Sequence, residues 1–191
     1  MNNDMHDPNE QVTDWQAALR YLKAGNGRYC ENRPVSRIVS AEEKKGFERG
    51  QKPFAVIVTC FDSRVAPEIF FDLRHGDAFV IRNAGNIANE PVIGGIEFAV
   101  EFVKVPLVVV VGHSCCAAVI NAFADGEYSG ELGGLMAHLR RAIEGSKDED
   151  EAIRKNMEYA VKQISENDVV KRMGAKVMGA FYDLGTGEVC F

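Results

Sequence analysis

At 191 residues the chain has room for one sizeable hydrophobic core and not two. A composition of 46% hydrophobic and 26% charged residues excludes a wholly disordered chain, a collagen-like repeat and a small disulfide-stapled scaffold. With 28 acidic residues against 22 basic ones, the formal charge is −6, which argues against the basic face that a nucleic-acid partner requires. The opening Met1-Asn2-Asn3-Asp4 has no basic or apolar stretch, so no secretory signal is expected. Five cysteines (Cys30, Cys60, Cys115, Cys116 and Cys190), two of them adjacent, suit a reducing, cytoplasmic setting with metal or thiolate chemistry better than a disulfide framework.

Residues 1–12 are polar and read as disordered. Thr13-Asp14-Trp15-Gln16 has capping-box spacing, and Trp15, Ala18, Leu19 and Leu22 follow at helical intervals until Gly25 and Gly27 loosen the pattern. Ser40-Ala41-Glu42-Glu43 opens a short polar helix that ends near Gly46 or Gly50. Residues 1–50 therefore read as a helical arm too poor in apolar residues for a core of its own. It must lie against the remainder of the chain or against a second copy. Continuous apolar runs at 54–59, 78–82 and 107–112 predict strands of a parallel sheet covered on both faces. Helices are predicted over 92–104, 115–124, 132–144 and 149–165, and a fourth strand over 176–183. After the turn signal Gly185-Thr186-Gly187, residues 188–191 are expected to fold back as an antiparallel edge strand. Residues 105–124 carry no charge, long enough for a membrane span, but Gly112-His113-Ser114 interrupts them; a buried strand entering a buried helix explains them, and no membrane partner is expected. The alternation gives an α/β fold: a single domain over 51–191 with a central, mostly parallel sheet flanked by helices.

Two clusters stand at the carboxyl ends of predicted strands, where open α/β sheets bind ligands. Cys60-Phe61-Asp62-Ser63-Arg64 follows the first strand, and His113-Ser114-Cys115-Cys116 follows the third. If those strands are neighbours, Cys60, His113 and Cys116 converge. Two thiolates and an imidazole form a soft ligand set that favours zinc, and three protein ligands leave a fourth position for water, as catalytic zinc sites do. Alone, a buried cysteine is usually a small apolar core residue, and Asp62 with Arg64 a surface ion pair. Their joint placement at two strand ends is what points to a site.

The segments Cys60-Phe61-Asp62-Ser63-Arg64-Val65, Gly76-Asp77-Ala78-Phe79-Val80-Ile81-Arg82-Asn83-Ala84-Gly85-Asn86 and Gly112-His113-Ser114-Cys115-Cys116 resemble the β-class carbonic anhydrases, over a stretch from about Gln51 to the C-terminus. The resemblance implies zinc held by Cys60, His113 and Cys116, with Cys116 rather than Cys115 preserving the His-x-x-Cys spacing. It implies reversible hydration of carbon dioxide to bicarbonate and a proton by attack of zinc-bound hydroxide. Asp62 and Arg64 form the family's catalytic pair. Gln51, Phe79 and Phe98 fall on positions that contact substrate or line its pocket. The arm over 1–50 is expected to pack on a partner subunit in a homodimer or homotetramer. Departures from the family pattern are Ala117 where glycine is usual after the second cysteine, Phe98 where tyrosine is common, and Ile57 where a bicarbonate-inhibited subgroup carries tryptophan. Carbonyl sulfide or carbon disulfide hydrolysis on the same fold, or non-catalytic zinc or bicarbonate binding, are the alternatives.

Overall fold

A parallel sheet needs apolar cover on both faces, and the valine-rich runs supply side chains to each. In the computed structural model, which describes residues 5–7, 10–35 and 39–191, the strands are β1 (Ala55–Cys60), β2 (Ala78–Asn83), β3 (Leu107–His113), β4 (Lys176–Tyr182) and β5 (Val189–Cys190). The helices are α1 (Trp15–Cys30), α2 (Ala41–Phe47), α3 (Pro67–Phe70), α4 (Glu90–Phe98), α5 (Ala117–Phe123), α6 (Gly130–Ala142), α7 (Glu149–Glu166) and α8 (Asp168–Met173). One sheet forms in the order β2-β1-β3-β4-β5. Its first four strands are parallel, and β5 returns antiparallel on β4. The α/β class, the mostly parallel sheet and the antiparallel edge strand are as the sequence predicts.

Every residue of β1 and β3 is buried, and the pleat sends alternate ones to opposite faces. Ala55, Ile57, Leu107, Val109 and Val111 pack with α1 and α3 residues on one face. Val56, Val58, Val108 and Val110 pack on the other with α4, α7 and α8. Thr59, buried among them, is satisfied by donating to the Val111 carbonyl at 3.0 Å. The chain leaves β1 for β2 on one side and crosses to β3 on the other, so the β1–β3 boundary is where the strand order reverses.

Several local features differ from the sequence reading, each for a visible reason. Helix α1 runs through Gly25 and Gly27 to Cys30. Gly25 is needed there because a Cβ would stand 1.9 Å from the Phe71 carbonyl oxygen. The helix lies on its own chain's sheet, burying Ala18 and Leu22 completely, whereas α2 has no buried residue. The described part of 1–12 is not loose: Val12 is buried, and His6 is 4% exposed. Helix α4 starts early because Asn89 caps it through Val92 N–H, and it ends in a π-helical turn closed by Lys104 at φ 63°. Helix α5 starts two residues late, with Cys116 as its cap rather than inside its first turn. Two short helices were not foreseen: α3, opened by Pro67, and α8, capped by Asn167 and closed by Gly174 at φ 71°.

His6 is held by aromatic rings and charge together. Its ring lies 5.1 Å from Phe54 and 5.8 Å from Tyr21, Nδ1 is 3.0 Å from Asp77 Oδ1, and Nε2 is 3.0 Å from the Glu10 carbonyl. Burial alone pulls its pKa down, but the hydrogen bonds to Asp77 and Glu10 and the Asp77 charge outweigh it, so the net shift is upward from 6.5. A raised folded-state pKa contributes stability that is complete below the unfolded value and is lost as pH rises through the folded one. His6→Gln should therefore lower Tm at about pH 5.5 by an amount equivalent to about 1–2 kcal/mol, and by clearly less at about pH 8.5. Thermal melts of both proteins at the two pH values check this; an equal loss at both contradicts it.

Candidate metal centre

The carboxyl ends of β1 and β3 bring three side chains together in a space closed to solvent. Cys60 is the last residue of β1, His113 the last of β3, and Cys116 the cap of α5 three residues beyond it. All three are buried: Cys60 to 2% exposure, Cys116 to 1% and His113 to 0%. Their ligand atoms lie within 4.8 Å of one another, and the two sulfurs are 3.9 Å apart. Tetrahedral zinc, with bonds of about 2.3 Å to sulfur and 2.0–2.1 Å to nitrogen, separates its ligands by about 3.6–3.8 Å. The two sulfurs have nearly that spacing, and the imidazole nitrogen lies within about 1 Å of it.

The imidazole is prepared for a cation. His113 Nδ1 lies 2.9 Å from the Ser114 carbonyl, which can only accept, so the ring proton sits on Nδ1 and the Nε2 lone pair is free. His113 Nε2 is buried and has no hydrogen-bond partner among the described residues. A buried acceptor without a partner is costly, and a metal ion removes the cost. The thiols carry the same message. The hydrogen bond from Cys116 pulls Cys60 down to about 4, against its burial, with help from the backbone amides of Gly85 and Asp62. Cys116 is pushed up, first by that same bond and then by burial. The close pair is thus driven apart, Cys60 toward the thiolate and Cys116 toward the thiol. The residues fit a tetrahedral zinc ion with three protein ligands.

Asp62 and Arg64 stand beside this centre on the loop leaving β1. Arg64 Nε donates to Asp62 Oδ1 at 3.0 Å and Nη2 to Oδ2 at 2.7 Å, while the Arg64 backbone N–H adds a bond to Oδ1 at 2.9 Å. This two-pronged grip holds the Asp62 carboxyl down at about 2, against a small opposing effect of burial. Arg64 is half exposed and Asp62 mostly covered, 55% and 14% of their side chains being accessible.

Arg82 and Gly85 belong to the same construction, although the sequence alone gives neither a role in it. Arg82, from β2, donates to the Asp62 carbonyl at 2.7 Å and the Cys60 carbonyl at 3.3 Å, which clamps the loop between ligand and carboxylate. The motif around Arg82 and Gly85 drew attention to both residues, but only the pairing of β2 with β1 reveals these contacts.

Gln51, Phe79 and Phe98 are not gathered at this centre within one chain. Gln51 is exposed and precedes β1, at the end of the strand opposite Cys60, about 17 Å or more away along the chain. Phe79 pairs with Val56, four residues back from the Asn83 that pairs with Cys60. Phe98 ends α4 and is 56% exposed, its ring 5.4 Å from that of Phe102, itself 71% exposed. Ala117 lies exposed at the start of α5, and Cys115 is exposed beside the cluster with φ 56°.

The carbonic anhydrase family profile matches residues 55–189, a span that includes all three cluster residues and both members of the Asp62–Arg64 pair. A carbonic anhydrase of Mycolicibacterium smegmatis is 36% identical over 187 residues, covering 91% of each chain. The chain belongs to the β-carbonic anhydrase family. Among other β-carbonic anhydrase relatives, carbonic anhydrase 2 of Mycobacterium tuberculosis is 49% identical over 108 residues, 56% of this chain; the chain spans about half of that relative's length, 52%. A tetrameric β-carbonic anhydrase from Sordaria macrospora superposes with a TM-score of 0.70 at 26% identity, over 92% of this chain and 95% of that one.

For a β-carbonic anhydrase centre of this composition, Cys60→Ala and Cys116→Ala should each drop zinc from about one ion per chain to near none and lower Tm, because metal binding is coupled to folding. Cys115→Ala should keep its zinc. Elemental analysis of the three purified variants checks the assignment; zinc retained by Cys116→Ala and lost by Cys115→Ala reverses it.

Proposed function

We propose that this protein catalyses the reversible hydration of carbon dioxide to bicarbonate and a proton at a zinc ion held by Cys60, His113 and Cys116. The observation that carries this reading is the Asp62 carboxylate, fixed at both oxygens by Arg64 beside a buried cluster of three ligand atoms. Zinc bound there supplies Lewis acidity, which makes a water molecule a competent nucleophile near neutral pH.

The chain's own residues do the remaining work. His113, fixed in its tautomer by the Ser114 carbonyl, presents a neutral lone pair. Cys60 and Cys116 neutralise the charge of the ion as thiolates. Asp62, ionised down to about 2, can only accept hydrogen bonds, so it orients an O–H of the nucleophile and cannot itself supply a proton. Arg64 holds the carboxylate in one rotamer, and Arg82 holds the backbone beneath it. The intact pair favours a catalyst over a non-catalytic zinc or bicarbonate binder. The relatives cited above are carbonic anhydrases by name, which favours hydration over hydrolysis of carbonyl sulfide or carbon disulfide.

Gln51, Phe79 and Phe98 we assign to the site of a second copy, in a homodimer that can pair into a tetramer. In support, Gln51 and Phe79 lie toward the end of the sheet opposite their own Cys60, and the Phe98 and Phe102 rings are exposed side by side. The arm over 1–50 then meets that partner through α2, since α1 is seated on its own sheet. The five free cysteines are consistent with a cytoplasmic location, and among the described residues no helix is long and apolar enough to cross a membrane.

Arg64→Ala should lower the rate of proton release from dissolved carbon dioxide by about a hundredfold while zinc content stays whole, because the orienting carboxylate loses its anchor. Stopped-flow assays with zinc analysis check this, and full activity in that variant removes the proposed mechanism. Wild-type protein fully loaded with zinc but silent toward carbon dioxide removes the function. Mixing Arg64→Ala with Gln51→Ala chains should restore about a quarter of wild-type activity through heterodimers with one intact site. Mixtures no more active than their parents overturn the shared-site assignment.

A further inference from the structure

Backbone amides face each cluster sulfur and favour its thiolate form: those of Ala118 and Val119, in the first turn of α5, for Cys116, and those of Asp62 and Gly85 for Cys60. The turn at Gly85 follows Asn83, the partner of Cys60 in the β1–β2 pairing, and a Cβ at Gly85 would stand 3.7 Å from Ala118 Cβ. The Asp62 amide belongs to the loop that Arg82 clamps from β2. Gly85 has no such support from a strand or a long helix, because it sits in the one-turn 3-10 segment Ala84–Asn86 with φ 71° and ψ 24°.

What holds that turn is a side chain from the opposite layer. Asn156 of α7 is 2% exposed, and its Nδ2 donates to the Gly85 carbonyl at 2.7 Å. Helix α7 comes low enough to reach it because Gly112 and Gly179 lack a Cβ where Met157 presses on the sheet. A Cβ at Gly112 would stand 3.2 Å from Met157 Cβ, and one at Gly179 3.0 Å from Met157 Cε. Asn83 closes the mouth of the turn by bonding both the N–H and the carbonyl of Ile87 at 2.8 Å, while Asn156 grips its middle.

We propose that Asn156 is a positioning residue of the metal centre, anchoring Gly85 so that its N–H stays aimed at the Cys60 sulfur. An N–H bond to a ligating thiolate withdraws electron density from the metal–sulfur bond and fixes the rotamer of the ligand. Asn156 therefore sets how firmly the ion is held and how strongly Cys60 donates to it, without touching substrate. This rests on the metal-site reading given above.

The test compares Asn156→Leu and Asn156→Asp with Ile164→Val, a core change on the same helix that loosens packing away from the cluster. Expected is a loss of about tenfold or more in zinc affinity in both Asn156 variants, measured by chelator competition, and a shifted thiolate-to-metal charge-transfer band in their cobalt-substituted forms. Ile164→Val should change neither. Asn156 variants that match Ile164→Val in affinity and spectrum overturn the proposal. Should leucine and aspartate at 156 prevent folding, wild type and the milder Asn156→Ser are loaded with spin-active cadmium. A cadmium coupling to the Gly85 amide proton is expected in wild type and reduced in Asn156→Ser; no coupling in wild type, or an equal one in both, overturns it. Wild-type protein that takes up no stoichiometric metal fails the underlying site reading instead.

Discussion

Two sulfurs 3.9 Å apart, closed off from water, confront the fold with an electrostatic problem. If both were thiolates with nothing between them, their repulsion at an effective dielectric constant of about 20 would be about 4 kcal/mol. That is a large fraction of the roughly 5–15 kcal/mol by which a domain is stable. A divalent cation reverses the sign of the interaction and also satisfies the stranded Nε2 of His113. A cation bound there would therefore be a structural partner as well as a chemical one at the ends of β1 and β3.

The layered sheet makes such a centre possible. Because β1 and β3 are buried on both faces, their carboxyl ends open into a region already free of bulk water. Charge placed there is felt strongly, so a bound cation would polarise what it holds, and Arg64 fixes Asp62 firmly. The strand-order reversal between β1 and β3 leaves room at that edge for ligands from two separate loops. Arg82 reaches across from β2 and stiffens the first loop, while the N-terminus of α5 supports the second. Each ligand is carried by an element whose position the core decides.

Much of this was legible in the chain. The unbroken apolar runs predicted the strands, and the two clusters at strand ends predicted that Cys60, His113 and Cys116 meet, because strand direction and burial follow from local patterns. What escaped was decided by contacts distant in sequence. The passage of α1 through two glycines depends on the Phe71 carbonyl lying against Gly25, which no periodicity reveals. The burial of His6 depends on Asp77, 71 residues away. Helix α8 depends on an asparagine cap and a closing glycine, signals too common to be decisive by themselves. The places of Gln51, Phe79 and Phe98 depend on strand register, which pattern alone does not fix. Sequence indicated the residue types of the site; only the pairing of strands assigned them to one end of the sheet or the other.

Asn26, in the middle of α1, donates to the carbonyls of Phe70 and Gly187 and accepts from the N–H of Val189, the last two lying 161 and 163 positions further on. A polypeptide emerging from the ribosome makes α1 first and the closing hairpin last. Until residues 187 and 189 have left the exit tunnel, the buried Asn26 amide lacks two of these three bonds. Helix α1 is thus completed only by residues some 160 positions downstream, and a chain cut before Gly187 leaves that helix as well as the sheet edge incompletely made.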